Sequence, residues 1–198
     1  MISGLIEIIP FILYIIIPFM IKDQFLSYIL KIIIVGGILI FFWDKYKIRW
    51  KTNYSFPIMA GLVIFIVWVG LEGSYPLLGE SSAYVPLSFA HVIAKLVGMV
   101  LLAPVIEELF VRNYLHRFMI NTEYEKVKHG TFTWPAFLIT TAFFGLAHSR
   151  WLVGLITGVI LNFVYYRQKN IGSCIVAHYA ANLALAIFVL LTASWSLW

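Results

Sequence analysis

Hydrophobic and polar positions along this chain fall into long blocks, not into the short periods of a strand or a half-buried helix. Apolar runs cover residues 4–21, 25–43, 56–71, 85–111, 134–149, 151–166 and 172–197. A helix rises about 1.5 Å per residue, so roughly 17–25 apolar residues cross the hydrocarbon core of a bilayer. The pattern predicts seven or eight transmembrane helices. The fifth and sixth runs are short, and the last is either one tilted helix or two pieces. No soluble domain, low-complexity tract or fixed-period repeat interrupts the blocks.

Composition changes the picture only by naming the solvent. The chain is 62% hydrophobic and 12% charged, whereas a soluble domain is about 25% charged. One water-soluble core cannot bury that much apolar surface. The expected fold is an all-α, polytopic integral membrane bundle, in which helices satisfy their own backbone hydrogen bonds inside lipid. The first run lacks a basic leader and a small-residue cleavage site, so it reads as a retained membrane helix. The single cysteine, Cys174, excludes an intramolecular disulfide and reads as a packed core residue.

The net charge of +5 raises the question of a nucleic-acid partner. The basic residues answer it, because ten of the fourteen sit in three loops: "DKYKIRWK" (44–51), the segment 112–130, and "RQKN" (167–170). The loop 72–84 has Glu72 and Glu80 and no Lys or Arg. The positive-inside rule places the three basic loops in the cytoplasm, and seven alternating spans then put the N-terminus there as well. Aromatics at the run ends, among them Trp43, Trp50, Tyr54, Trp134, Trp151 and Trp198, suit an interfacial belt. The expected partner is a lipid bilayer, not nucleic acid.

Against this background a few polar residues stand out. "APVIEELFVRNYLHRF" (103–118) carries Glu107, Glu108 and Arg112 at the end of an apolar run. A charge at the centre of a membrane helix costs roughly 2.5–3.5 kcal/mol, so such residues face a bundle interior and mark function, unless they are simply solvated at the interface. Glu108 and Arg112 are four residues apart and can pair along one helix face. Glu107 points about 100° away. One carboxylate is thus neutralised while the other stays free. "AFFGLAHSRW" adds Phe144 and His148, and "SCIVAHYAANLAL" adds His178 and Asn182 on one face of the last helix.

Together the three islands, Glu-Glu-x-x-x-Arg, Phe-x-x-x-His and His-x-x-x-Asn, resemble the CAAX prenyl protease and bacteriocin-processing family of intramembrane proteases. The resemblance covers about 85–190. It divides the chain into N-terminal transmembrane helices (1–84) and a catalytic helical core (85–198). The first half more narrowly resembles CAAX-protease-related proteins of exosortase sorting systems. The resemblance implies Glu107 as general base, His148 as the residue that orients the water, and His178 and Asn182 as donors to the oxyanion. Glu108 and Arg112, with Phe144, would support the site. No cofactor is favoured; a zinc ion held by Glu107, His148 and His178 is the alternative. The expected enzyme is an intramembrane endopeptidase of a prokaryotic cytoplasmic membrane, cutting near the anchored or C-terminal part of a protein or peptide. The competing readings are a non-catalytic peptide-binding, immunity or assembly factor, and a small proton-coupled transporter.

Several residues fall outside this scheme. His91 and Lys95 are assigned to an interface or pore lining, His116 and His129 to loops or interfaces, and Arg150 to snorkelling outward. Gly154 and Gly158 form a small-xxx-small motif for close helix packing. One geometric problem stands. If the fifth span starts near Pro135, His148 lies roughly 20 Å up it, whereas His178 lies only about 10–12 Å from the turn at 167–170. The two histidines meet only if the helices are tilted or start at different depths.

Overall fold

The computed structural model describes residues 4–50, 53–79 and 83–198. Lys51 and Glu80, counted above among the loop charges, lie outside the described residues. Among the described residues there is no strand, and seven helices carry the fold: α1 (Leu5–Met20), α2 (Gln24–Phe41), α3 (Ser55–Gly70), α4 (Phe89–Phe118), α5 (Trp134–Leu146), α6 (Trp151–Gln168) and α7 (Ile171–Thr192). Each apolar run of the sequence thus becomes one helix. By length and composition α2, α4 and α7 can cross a membrane; α1, α3 and α5 are apolar but shorter. The last run is a single helix that stops where Ala193 turns left-handed (φ 54°), followed by a short turn at Trp195–Leu197.

Local chemistry sets the helix starts. The side chains of Asp23, Thr133 and Asn170 accept from the backbone N–H groups of Leu26, Ala136 and Ser173, capping α2, α5 and α7. In α4 the backbone widens twice to π-type turns, at Val97–Leu102 and Leu109–Leu115. Pro104 offers a reason for the first. It has no N–H for the carbonyl four residues back, and its ring crowds that turn. Carbonyls around the widened turn find side-chain donors instead: Tyr14 donates to Gly98 (3.2 Å), Asn182 to Met99 (2.8 Å) and Tyr179 to Leu101 (3.0 Å). One backbone irregularity therefore ties α1 and α7 to α4.

The helices pack through small residues and buried polar contacts. A Cβ on Gly154 would sit 3.0 Å from the Gly145 Cα, and one on Gly158 would sit 3.2 Å from the Thr141 Cα. The expected small-residue seam is therefore the α5–α6 contact, and the Asn162 amide crosses it to the hydroxyls of Thr140 and Thr141 (3.0 Å each). Cys174 is buried in the apolar cluster between α3, α4, α5, α6 and α7. The outer faces are apolar and open, with Phe41 81% and Leu191 82% exposed. That surface would aggregate in water and suits lipid.

The remaining polar residues are more deeply engaged than their positions in the chain suggest. Arg150 does not snorkel. It is 7% exposed, donates twice to Glu72 (2.6 and 2.5 Å) and once to the Ser196 carbonyl (2.9 Å). His116 is fully buried and meets the Tyr166 hydroxyl at 2.8 Å, while His129 meets Tyr165 at 3.0 Å. Lys95 is buried too, donating to the Tyr28 hydroxyl (2.9 Å), and His91 stacks on Phe25. Glu7 of α1, also buried, accepts from Asn113 (2.9 Å) and Tyr124 (3.2 Å), fastening α1 to α4 and to the loop after it.

Candidate active site

The segment of α4 between its two widened turns, Ala103–Glu108, carries both glutamates. Their divergence is the one the helical geometry predicts. Glu108 is fully buried and accepts from Arg112 Nη1 at 3.0 Å, with both side chains 0% exposed. It also faces His178 Nδ1 at 3.1 Å. The Arg112 guanidinium donates to the Gly158 carbonyl (3.3 Å) and lies 4.8 Å over the Phe144 ring. A charge pair taken out of water persists only when such additional contacts satisfy it. This one has contacts from α5, α6 and α7, while Glu108 Oε2 and Arg112 Nε have no hydrogen-bond partner among the described residues.

Glu107 turns the other way. Its carboxylate makes no hydrogen bond among the described residues, and the ionisable group within ion-pair distance of it is the His178 ring, with Nε2 at 4.0 Å. It lines a cavity of about 170 Å³ together with His148, His178 and Asn182. A second cavity of about 200 Å³ adjoins, and Tyr14, Glu107, Phe144 and His148 line both. A water molecule occupies about 30 Å³ of liquid volume, so either space has room for water beside the free carboxylate. Most of the remaining lining is apolar or aromatic, including Ile64, Phe65, Trp68 and Leu185.

The depth problem of the two histidines resolves at Phe144. Helix α5 starts at Trp134 and ends at Leu146, so His148 lies just past its far end, in the turn before α6. The Phe144 ring lies 5.1 Å from the His148 ring and 5.8 Å from the His178 ring, bringing all three to one place. His148 Nδ1 contacts the Phe144 carbonyl at 2.7 Å. A carbonyl only accepts, so Nδ1 carries the proton, and whenever the ring holds that one proton Nε2 is left as an acceptor. Asn182 gives one amide proton to Met99 and keeps the other.

All seven residues predicted from the sequence thus converge on one locus: Glu107, His148, His178 and Asn182 on the cavity, Phe144 on it and also beneath Arg112, and Glu108 and Arg112 behind it. Sequence reasoning missed Tyr14, Trp68 and Thr157, which also line the cavity. No motif marks them, because α1, α3 and α6 reach the site only through tertiary packing. Among the described residues no three His, Cys, Asp or Glu side chains are grouped to hold a metal ion. Glu107, His148 and His178 share a cavity without forming such a set, so the zinc alternative has no preassembled site.

Residues 89–184, which hold all seven residues, match the family described as type II CAAX prenyl endopeptidase Rce1-like. The UPF0177 protein YbdI of Lactococcus lactis is 27% identical over 110 residues, covering 54% of this chain and 52% of that protein. The chain thus spans about half the length of the curated relative it matches. No solved structure matches it.

Proposed function

We propose that this chain is an intramembrane endopeptidase, seven-spanning with its basic loops and N-terminus in the cytoplasm, in which Glu107 activates the attacking water. The observation that carries the reading is the split of the glutamate pair. Glu108 is engaged through Oε1 by Arg112 and His178, whereas Glu107 faces a cavity with room for water and has no hydrogen-bond partner among the described residues.

In this scheme water sits between Glu107 and His148 Nε2. Glu107 takes its proton as the oxygen attacks the scissile carbonyl carbon. The oxyanion receives the second amide proton of Asn182 and, when the His178 ring carries both protons, its Nε2–H. Collapse breaks the C–N bond, and Glu107 returns its proton to the leaving amine. General-base catalysis contributes about 10²–10⁴-fold, and a single oxyanion donor about 10²–10³-fold. No step is assigned to a metal, because the three candidate ligands are not grouped for one.

The apolar walls and the lipid-facing outer surface favour a membrane-associated protein or peptide as substrate, cut near its anchored or C-terminal part. The family match supports a peptidase of the CAAX-protease type, and our reading places it in the cytoplasmic membrane of a prokaryote. The test is cleavage of a panel of lipid-anchored C-terminal peptides by purified protein in liposomes, with and without a chelator. Cleavage that survives chelation and is lost in Glu107→Gln supports the scheme. Inhibition by chelator that zinc reverses replaces it with a metal mechanism.

A further inference from the structure

The three basic loops do more than share one side of the bundle: they enclose a cavity of about 460 Å³. Six cationic side chains line it, Lys47, Arg49, Arg117, Lys126, Lys128 and Lys169, against one carboxylate, Glu125. Lys126 is paired with Glu123 at 2.7 Å. Among the described residues the other five have no carboxylate within ion-pair distance. Arg117 is 7% exposed, and its donors go only to neutral oxygens, those of Asn113, Glu125 and Val127. Burial, then the charges of Arg117 and Arg49, hold the neighbouring His129 imidazole down to about 4.

Like charges repel, yet the fold forces these loops together. A Cβ on Gly172 would lie 2.6 Å from the Arg49 carbonyl oxygen, and one on Gly130 would lie 2.9 Å from both the Tyr165 carbonyl oxygen and the Lys169 Cγ. Both close approaches require glycine, and they lock loop 44–50 onto α7 and loop 119–133 onto the end of α6. Two of the lining lysines, Lys47 (φ 50°) and Lys169 (φ 49°), have left-handed backbones, which non-glycine residues seldom adopt. Such backbone strain persists where surrounding structure overdetermines it, and it clusters at ligand clamps. The half-exposed Trp50 lies beside Gly172 at the same end, the position of an aromatic at a membrane–water boundary.

We infer that this cavity binds the phosphate-bearing headgroup of an anionic phospholipid at the cytoplasmic surface. The occupant supplies the negative charge that the protein withholds, and basic pockets at this depth of a membrane bundle meet anionic headgroups first. This inference does not depend on the peptidase reading.

The test uses the full chain in nanodiscs of phosphatidylcholine, with or without phosphatidylglycerol, and native mass spectrometry to count retained lipid. The variant is Lys47→Asn with Lys169→Asn, because asparagine tolerates the left-handed backbone while removing both charges. Its melting temperature in pure phosphatidylcholine is the folding control, with Arg49→Gln as the second variant should the double one melt early. Wild type should retain phosphatidylglycerol over phosphatidylcholine, with the variant weakened about tenfold or more and the wild-type preference declining with salt. Equal retention of the two lipids, or equal retention by wild type and variant, overturns the inference. Inorganic phosphate raising the melting temperature in pure phosphatidylcholine as much as phosphatidylglycerol does would make this a free-phosphate site and overturn the lipid assignment.

Discussion

Replacing Arg112 with methionine should cost more than any other single substitution behind the site. It leaves the Glu108 carboxylate at 0% exposure with no cation within ion-pair distance except a protonated His178. Removing one partner of a buried pair typically costs about 3–5 kcal/mol, because the remaining charge stays desolvated. The lost contact over Phe144 at 4.8 Å adds about 0.5–2 kcal/mol. Glu108→Gln alone should be costly for the mirror-image reason. The double variant, Glu108→Gln with Arg112→Met, removes both charges and should be much milder than the sum of the singles. A double-mutant cycle by reversible unfolding in mixed micelles measures that difference. A coupling of about 1.5–3 kcal/mol is expected for two groups in one network. A coupling below about 0.5 kcal/mol would show that the two groups ionise or relax independently, and the argument that Arg112 neutralises Glu108 would fail.

Three further outcomes follow from the same contacts. Gly154→Leu drives a side chain into Gly145 of α5 and should destabilise by about 1–3 kcal/mol, read as a lower melting temperature with cleavage reduced in proportion to folded protein. Asn182→Ala removes the donor to the Met99 carbonyl; it should cost about 1 kcal/mol of stability but at least 10²-fold in turnover, since the lost oxyanion donor outweighs the structural bond. His129 is held down to about 4 from an ordinary 6.5, so the unfolded chain binds a proton that the fold refuses. Its contribution is present above pH 6.5 and is lost as pH falls toward 4, and His129→Gln should flatten the pH dependence of unfolding in that window.

What the sequence made legible was what local spacing controls. Seven apolar blocks became seven helices. The i,i+4 relation of Glu108 and Arg112 became an ion pair, and that of Phe144 and His148 became a hydrogen bond from ring to carbonyl. The fourth apolar run, 85–111, became a helix that continues past Arg112 to Phe118. Long-range geometry was not legible. The widened turns of α4 leave no composition signal beyond Pro104, yet they recruit Tyr14, Tyr179 and Asn182. Arg150 looked like a surface residue because its partner, Glu72, lies 78 positions away. The basic loops were read as a topology signal; that they close around a common cavity depends on two glycine contacts no periodicity reveals.

The central claim is a division of labour between two adjacent carboxylates, and comparing Glu107→Gln with Glu108→Gln for both cleavage and melting temperature tests it most directly. The account predicts that Glu107→Gln loses about 10²–10⁴-fold in turnover while melting like wild type. Glu108→Gln should melt early, with turnover per folded molecule retained far better. The reverse pattern, a stable but inactive Glu108→Gln and an active Glu107→Gln, would contradict the account.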